Sequence, residues 1–221
     1  MHLYLDTADL NELAGLLPHP LIHGVTTNPT LMKRAGLTYD ALPDFVRRVG
    51  GLGARRVHVQ VRHRDVDGML RDARELAGLG GAAQLVVKIP ATREGFAAAT
   101  HLASSGAAVT MTAVYEPEQV LWSVMAGATY AAPYLGRLND AGHDGSAVVG
   151  AMQRLLERYR AGEDGDLRLL VASVRSRAAF LQLLEIGVEA VTIPPKLFAS
   201  LIEHDATRSA EATFLQDAEA L

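Results

Sequence analysis

Residues 84–89 read Gln-Leu-Val-Val-Lys-Ile, with Pro90 next. Leu85, Val86, Val87 and Ile89 fill both alternating faces of an extended chain. That is the pattern of a strand covered on two sides in a parallel sheet. Seven more short runs share it: His2–Leu5, Gly24–Thr27, Arg56–Val61, Ala108–Val114, Ala128–Tyr134, Leu167–Ser173 and Glu189–Ile193. Helical periodicity fills the gaps. Val66, Met69, Leu70, Ala73, Leu76 and Ala77 share one helical stripe, and so do Val148, Val149, Met152, Leu155, Leu156 and Tyr159. Asp144 or Ser146 is available as N-cap for the second, and Pro117 suits the first turn of another helix. The eight strand centres recur at roughly 27 residues, close to one minimal strand–helix unit. The prediction is an α/β chain folded as one (β/α)8 TIM barrel domain over residues 1–221. Residues 206–221 are an extra C-terminal helix, packing outside the barrel or on a neighbouring subunit. A doubly wound open sheet is the alternative, but it would usually use fewer strands.

Composition narrows the function classes. The chain has 221 residues, and Lys+Arg 21 against Asp+Glu 25 gives a net charge of −4, which argues against a dedicated nucleic-acid binder. There is no cysteine, so disulfides, thiolate nucleophiles and Cys-ligated zinc are excluded. The eight histidines are scattered and suggest no metal site. No apolar run approaches the roughly 18 residues of a membrane span. The start, MHLYLDTADLNELAG, carries an acid at position 6 and no basic segment, unlike a secretory signal. A soluble, cytoplasmic enzyme or binding module is expected.

In a barrel of this kind, chemistry sits where strands end. Lys88 stands out, because lysine is rarely buried without a reason. An apolar surround disfavours its ammonium and leaves an amine able to attack a carbonyl. Alternatively it snorkels out, or pairs with Asp6. Asp6 reads as a proton-transfer group or as an N-cap in DTADL, a position Thr7 could also fill. Asn28, fixed before Pro29, reads as a ligand for a substrate hydroxyl or as a loop-satisfying amide; Thr26 lies beside it in the same strand end. Gln60, Thr112 and Tyr134 could hold one water near Lys88, or each could be a satisfied core group. Arg137, Ser173 and Arg175 suit a phosphate, which guanidinium forks match in geometry.

The segments LDTAD, GVTTNPTLM, VVKIPATREG, TAVYEPEQ, APYLGRLNDAGHDG, LVASVRS and VTIPPKLF run nearly end to end along the chain. Together they resemble the small transaldolase-like class I aldolases. The resemblance implies a barrel whose fourth strand carries the Schiff-base lysine, here Lys88, with Asp6 transferring protons. It implies that Asn28 holds donor hydroxyls, with Thr26 and Ala132 beside the substrate. Arg137, Ser173 and Arg175 would bind the substrate phosphate. No metal or organic cofactor is implied, because the iminium is the electron sink.

Two branches differ in chemistry. Transaldolases move a dihydroxyacetone unit between sugar phosphates in the pentose phosphate pathway. The fructose-6-phosphate aldolase branch makes or cleaves fructose 6-phosphate from dihydroxyacetone and glyceraldehyde 3-phosphate. Transaldolases resemble one another in a strand-three glutamate and a Ser-Pro-Phe at the end of strand six. This chain has Gln60 and Ala132-Pro133-Tyr134, as in the aldolase branch, where the glutamine, Thr112 and the tyrosine hold the catalytic water. Gly136-Arg137, Arg175 and VTIPPK look more like transaldolases. Arg62-His63 is unusual for the family and is expected to place extra basic groups near the mouth. The expected partners are small sugar phosphates, with neither nucleic acid nor membrane. The family commonly forms pentamer-based decamers with the C-terminal helix on a neighbour, so a homo-oligomer is implied. After Asp217 this sequence lacks the family's usual tryptophan and tail.

Overall fold

A computed structural model describes residues 1–78, 82–160 and 167–221. In chain order the elements are β1 (His2–Asp6), α1 (Leu10–Ala14), β2 (Ile22–Thr26), α2 (Pro29–Ala35), α3 (Leu42–Gly51), β3 (Arg56–Gln60) and α4 (Val66–Ala77). Next come β4 (Gln84–Pro90), α5 (Arg93–Ser104), β5 (Val109–Val114), α6 (Pro117–Met125), β6 (Tyr130–Pro133), α7 (Leu135–Asp140) and α8 (Gly145–Arg160). The chain ends with β7 (Arg168–Val171), α9 (Arg177–Ile186), β8 (Ala190–Ile193), α10 (Pro195–Ile202) and α11 (Asp205–Glu219). All eight strands pair in sequence order and parallel, and β8 closes onto β1. This is the (β/α)8 barrel expected from the strand runs. No helix among the described residues is long and apolar enough to cross a membrane.

The two faces of each strand explain the continuous apolar runs. One set of side chains, including Leu5, Val25, Val57, Val87, Ile89 and Val191, packs outward against the helices in one large core. The other set points into the barrel, where Tyr4, Val86, Tyr130, Ala132, Leu170 and Ala190 form a second, smaller core. The interior is partly polar. Tyr4 and Tyr130 share a hydroxyl hydrogen bond of 2.9 Å, Arg56 donates to the Tyr130 hydroxyl, and His58 Nδ1 lies 2.9 Å from the Thr110 hydroxyl. Burial, and after it the charge of Lys88, pushes His58 well below the ordinary histidine pKa, so this imidazole is neutral. Gly24 permits the close approach of β2 to β3, because a Cβ there would stand 2.2 Å from the Arg56 carbonyl oxygen. β2 begins at Ile22, two residues before the expected strand.

Local chemistry sets the helix starts. α1 is capped by Asp9, whose carboxylate accepts the Asn11 N–H at 2.8 Å. Neither Asp6 nor Thr7 does this work, which overturns the capping alternative for Asp6. Asp144, not Ser146, receives the N–H of Ala147 in the first turn of α8.

Candidate active site

The C-terminal ends of the strands surround a cavity of about 540 Å3. Seven residues singled out from the sequence line it: Asp6, Asn28, Lys88, Tyr134, Arg137, Ser173 and Arg175. The structure brings these together from five of the eight strand ends. Thr26, Gln60, Thr112 and Ala132 do not line the cavity. Thr26 and Thr112 stand directly behind lining residues, Gln60 pairs with Lys88 across the sheet, and Ala132 belongs to the interior core.

Lys88 is only 4% exposed. β4 holds it between Gln60 of β3 and Thr110 of β5 in direct cross-strand register. Its ammonium donates to the Thr27 carbonyl at 2.9 Å. That settles the snorkelling alternative: the side chain stays inside, with one backbone acceptor and open cavity ahead of it.

Asp6, at the end of β1, accepts a 2.7 Å hydrogen bond from the Thr26 hydroxyl. Since Thr26 spends its one proton there, the Thr192 hydroxyl donates to Thr26 across 2.6 Å. This relay fixes the carboxylate from behind. Burial raises the Asp6 pKa above the usual carboxylate value, against the opposing pull of Lys88, the Thr26 hydroxyl and Arg137. A carboxyl held this way exchanges protons more readily near neutrality than a surface aspartate.

Asn28 divides its amide. The oxygen accepts the Leu31 N–H at 3.0 Å and caps α2, with Pro29 fixing the entry. The loop-satisfying reading therefore holds for the oxygen, while the NH2 group remains to donate to a ligand.

On the opposite wall the Thr112 hydroxyl lies 2.8 Å from the Tyr134 hydroxyl. β5 carries a bulge at this point. Its register with β6 shifts between Thr112 and Val114, and Ala113 takes a left-handed φ of 56°. Bulges re-aim side chains beside functional sites, and here the bulge directly follows the hydroxyl that meets Tyr134. The Arg137 guanidinium lies over the Tyr134 ring, 4.7 Å from its centre.

Ser173 is the second non-glycine residue with a left-handed backbone, at φ 60°. Strain of that kind costs roughly 1–3 kcal/mol and persists where packing over-determines it. Gly136 supplies the packing: its N–H donates to the Ser173 carbonyl at 3.0 Å, and a Cβ there would sit 2.5 Å from that oxygen. Arg175 is held by Asp140 through two bonds, of 2.8 and 2.7 Å.

Arg62 and His63 correct an expectation. Neither lines the cavity. Both backbone N–H groups, the Arg62 Nε and the His63 Nδ1 converge on the buried Asp72 of α4 at 2.7–3.0 Å. The Arg62 fork also reaches Glu75 at 2.7 Å. Burial acts to raise the Asp72 pKa, but these bonds outweigh it and hold the carboxyl below its usual value. The pair fastens the β3–α4 loop to its helix and adds no charge to the mouth.

Sequence reasoning missed other residues on the cavity wall: Asp9 and Glu12 of the β1 side, Thr30 and Arg34 of α2, and Lys196 of α10. Only position after a strand end could have flagged them. Among the described residues no cluster of three or more His, Asp or Glu side chains is arranged to hold a metal ion.

Known proteins resemble the chain over nearly its whole length. Residues 3–221 match the family model described as Transaldolase/Fructose-6-phosphate aldolase. A probable transaldolase of Thermoplasma acidophilum is 35% identical over 217 residues, covering 98% of this chain and 95% of the relative. A probable transaldolase of Anaeromyxobacter dehalogenans is 36% identical over 218 residues, covering 98% and 96%. One from Phenylobacterium zucineum is 34% identical over 217 residues, again covering 98% and 96%.

Proposed function

The chain belongs to the transaldolase/fructose-6-phosphate aldolase family, and from that premise we propose that it is a class I aldolase interconverting fructose 6-phosphate with dihydroxyacetone and glyceraldehyde 3-phosphate. The observation that carries this reading is the buried Lys88, which shares one cavity with Tyr134, whose hydroxyl meets that of Thr112.

In this mechanism the Lys88 nitrogen attacks the C2 ketone and forms a carbinolamine. Loss of water gives the protonated imine. A water held by Gln60, Thr112 and Tyr134 carries the protons of both steps. Asp6, directly or through that water, removes the proton of the C4 hydroxyl. The C3–C4 bond then breaks, and its electron pair flows into the iminium to give the enamine. The C4 hydroxyl becomes the aldehyde of glyceraldehyde 3-phosphate, which leaves from the Arg137, Ser173 and Arg175 side. Protonation at C3 and hydrolysis release dihydroxyacetone and return Lys88. Asn28 holds the hydroxyls of the donor end, and Thr26 supports that end from behind by holding Asp6.

The names of the relatives favour a second reading, in which the enamine waits for another aldose phosphate and the enzyme is a transaldolase. Two incubations separate them. Dihydroxyacetone with glyceraldehyde 3-phosphate should yield fructose 6-phosphate. Fructose 6-phosphate with erythrose 4-phosphate should yield less transfer product than that. Fast transfer with no net aldol product would overturn the aldolase reading and leave the transaldolase.

The same reading includes a cytoplasmic homo-oligomer, a pentamer or decamer. α11 buries none of its residues, and its Phe214 and Leu215 are 69% and 61% exposed. Apolar side chains on a fully uncovered helix favour a second protein surface. Light scattering should return a multiple of the 23.6 kDa chain mass; a monomer at working concentration would overturn this part.

A further inference from the structure

We propose that Lys196 is a phosphate-binding residue of this cavity and sets the preference for phosphorylated over unphosphorylated aldehydes. The inference rests on the sugar-phosphate reading of the site and extends it to a side chain outside the Arg137, Ser173 and Arg175 set.

The argument begins with the charges around the mouth. The barrel order places β6, β7 and β8 side by side, followed by β1. The chain after each of the first three supplies a cation to the cavity wall: Arg137, Arg175 and Lys196. The β1 side supplies three acids, Asp6, Asp9 and Glu12. The mouth is therefore polarised, with a cationic arc over β6–β8 and an acidic arc at β1. A phosphate dianion is drawn to the first and repelled by the second.

Within the cationic arc the three side chains are not equivalent. Arg175 is already neutralised: Asp140 takes both arms of its fork at 2.8 and 2.7 Å. A phosphate arriving there competes with a carboxylate in ideal bidentate geometry. Arg137 is laid over the Tyr134 ring. Lys196 has no hydrogen bond or ion pair through its side chain among the described residues. It is the one member of the arc whose charge is uncommitted. It sits in the first turn of α10, directly after β8, and β8 pairs with the strand that leads to Ser173. In barrels of this class phosphate sites gather at the loops after strands seven and eight and at the helix that follows. Arg34 lines the same cavity, but from α2, beyond the acids of β1. It stands outside the arc.

The experiment compares Lys196→Met and Lys196→Arg with the wild type. The readout is the ratio of kcat/KM for glyceraldehyde 3-phosphate to that for unphosphorylated glyceraldehyde, both as acceptors for dihydroxyacetone. Loss of one charge-assisted hydrogen bond should lower this ratio about tenfold in Lys196→Met, and Lys196→Arg should recover most of it. Inhibition of the wild type by inorganic phosphate should weaken in Lys196→Met by a similar factor. An unchanged ratio, or an equal loss with both acceptors, overturns the proposal. Failure of the parent reading is recognised separately. If borohydride with dihydroxyacetone adds no mass to the wild-type chain, the imine mechanism fails. Direct calorimetric binding of inorganic phosphate to wild type and Lys196→Met then still decides the role of the lysine.

Discussion

Lys88→Met is expected to remove activity by on the order of 10^4-fold or more, as loss of a covalent nucleophile does, while the fold survives. Methionine is similar in length and is apolar. The side chain it replaces is 4% exposed and makes one hydrogen bond, to the Thr27 carbonyl. Removing an ammonium from a site this enclosed relieves desolvation, which offsets the lost bond. The Thr27 carbonyl keeps a lone pair that a cavity water can reach. Thermal unfolding of the variant should therefore stay close to wild type. The chemical check is direct: borohydride reduction in the presence of dihydroxyacetone should fix one three-carbon unit on wild-type Lys88 and none on the variant, read by peptide mass. Turnover of the variant within tenfold of wild type, or labelling at another residue, would remove Lys88 from the nucleophilic role.

What the sequence disclosed follows from the range of the forces involved. Strands are local objects, and a strand buried on both faces writes its own signature, so all eight runs were legible. Lys88 was legible for the same reason: one charge interrupts an apolar run of neighbours in sequence. Where the decisive partner is distant, the sequence is silent. Arg62 and His63 looked like free bases at the mouth because Asp72, which binds both, lies one helix away. The partner of Arg175, Asp140, lies 35 positions away, where local sequence does not point to it. The Tyr4–Tyr130 bond spans 126 positions, and the bulge that accompanies the Thr112–Tyr134 contact exists only once β5 and β6 are paired. Asp6 is intermediate. Its ambiguity between cap and proton carrier was local, and a nearby residue, Asp9, resolved it by capping α1 instead.

Asp6→Asn separates chemistry from stability most sharply. Asparagine keeps the size and can still accept the Thr26 hydroxyl proton, so the Thr192–Thr26 relay has a terminus. It cannot take up a proton from the C4 hydroxyl, and kcat should fall about 10^2- to 10^4-fold, the range for loss of general acid–base catalysis. Imine formation at Lys88 should persist, since that step draws on the water held opposite. The pH profile tests the assignment further. Burial raises the Asp6 pKa above its ordinary 3.8, so the acid limb of wild-type kcat/KM should lie above pH 3.8 and vanish in the variant. Stability moves the other way. A carboxyl whose folded pKa is raised contributes its full stability below the unfolded pKa, and that contribution is lost as pH rises through the folded pKa. Near neutral pH the raised pKa of the wild-type carboxyl therefore costs folding stability, and asparagine carries no such cost. The variant should unfold at a higher temperature than wild type near pH 7, with the difference closing as pH falls towards 3. A variant that is less stable at pH 7 and retains its acid limb would show that the carboxylate holds the site together and that the proton is carried elsewhere.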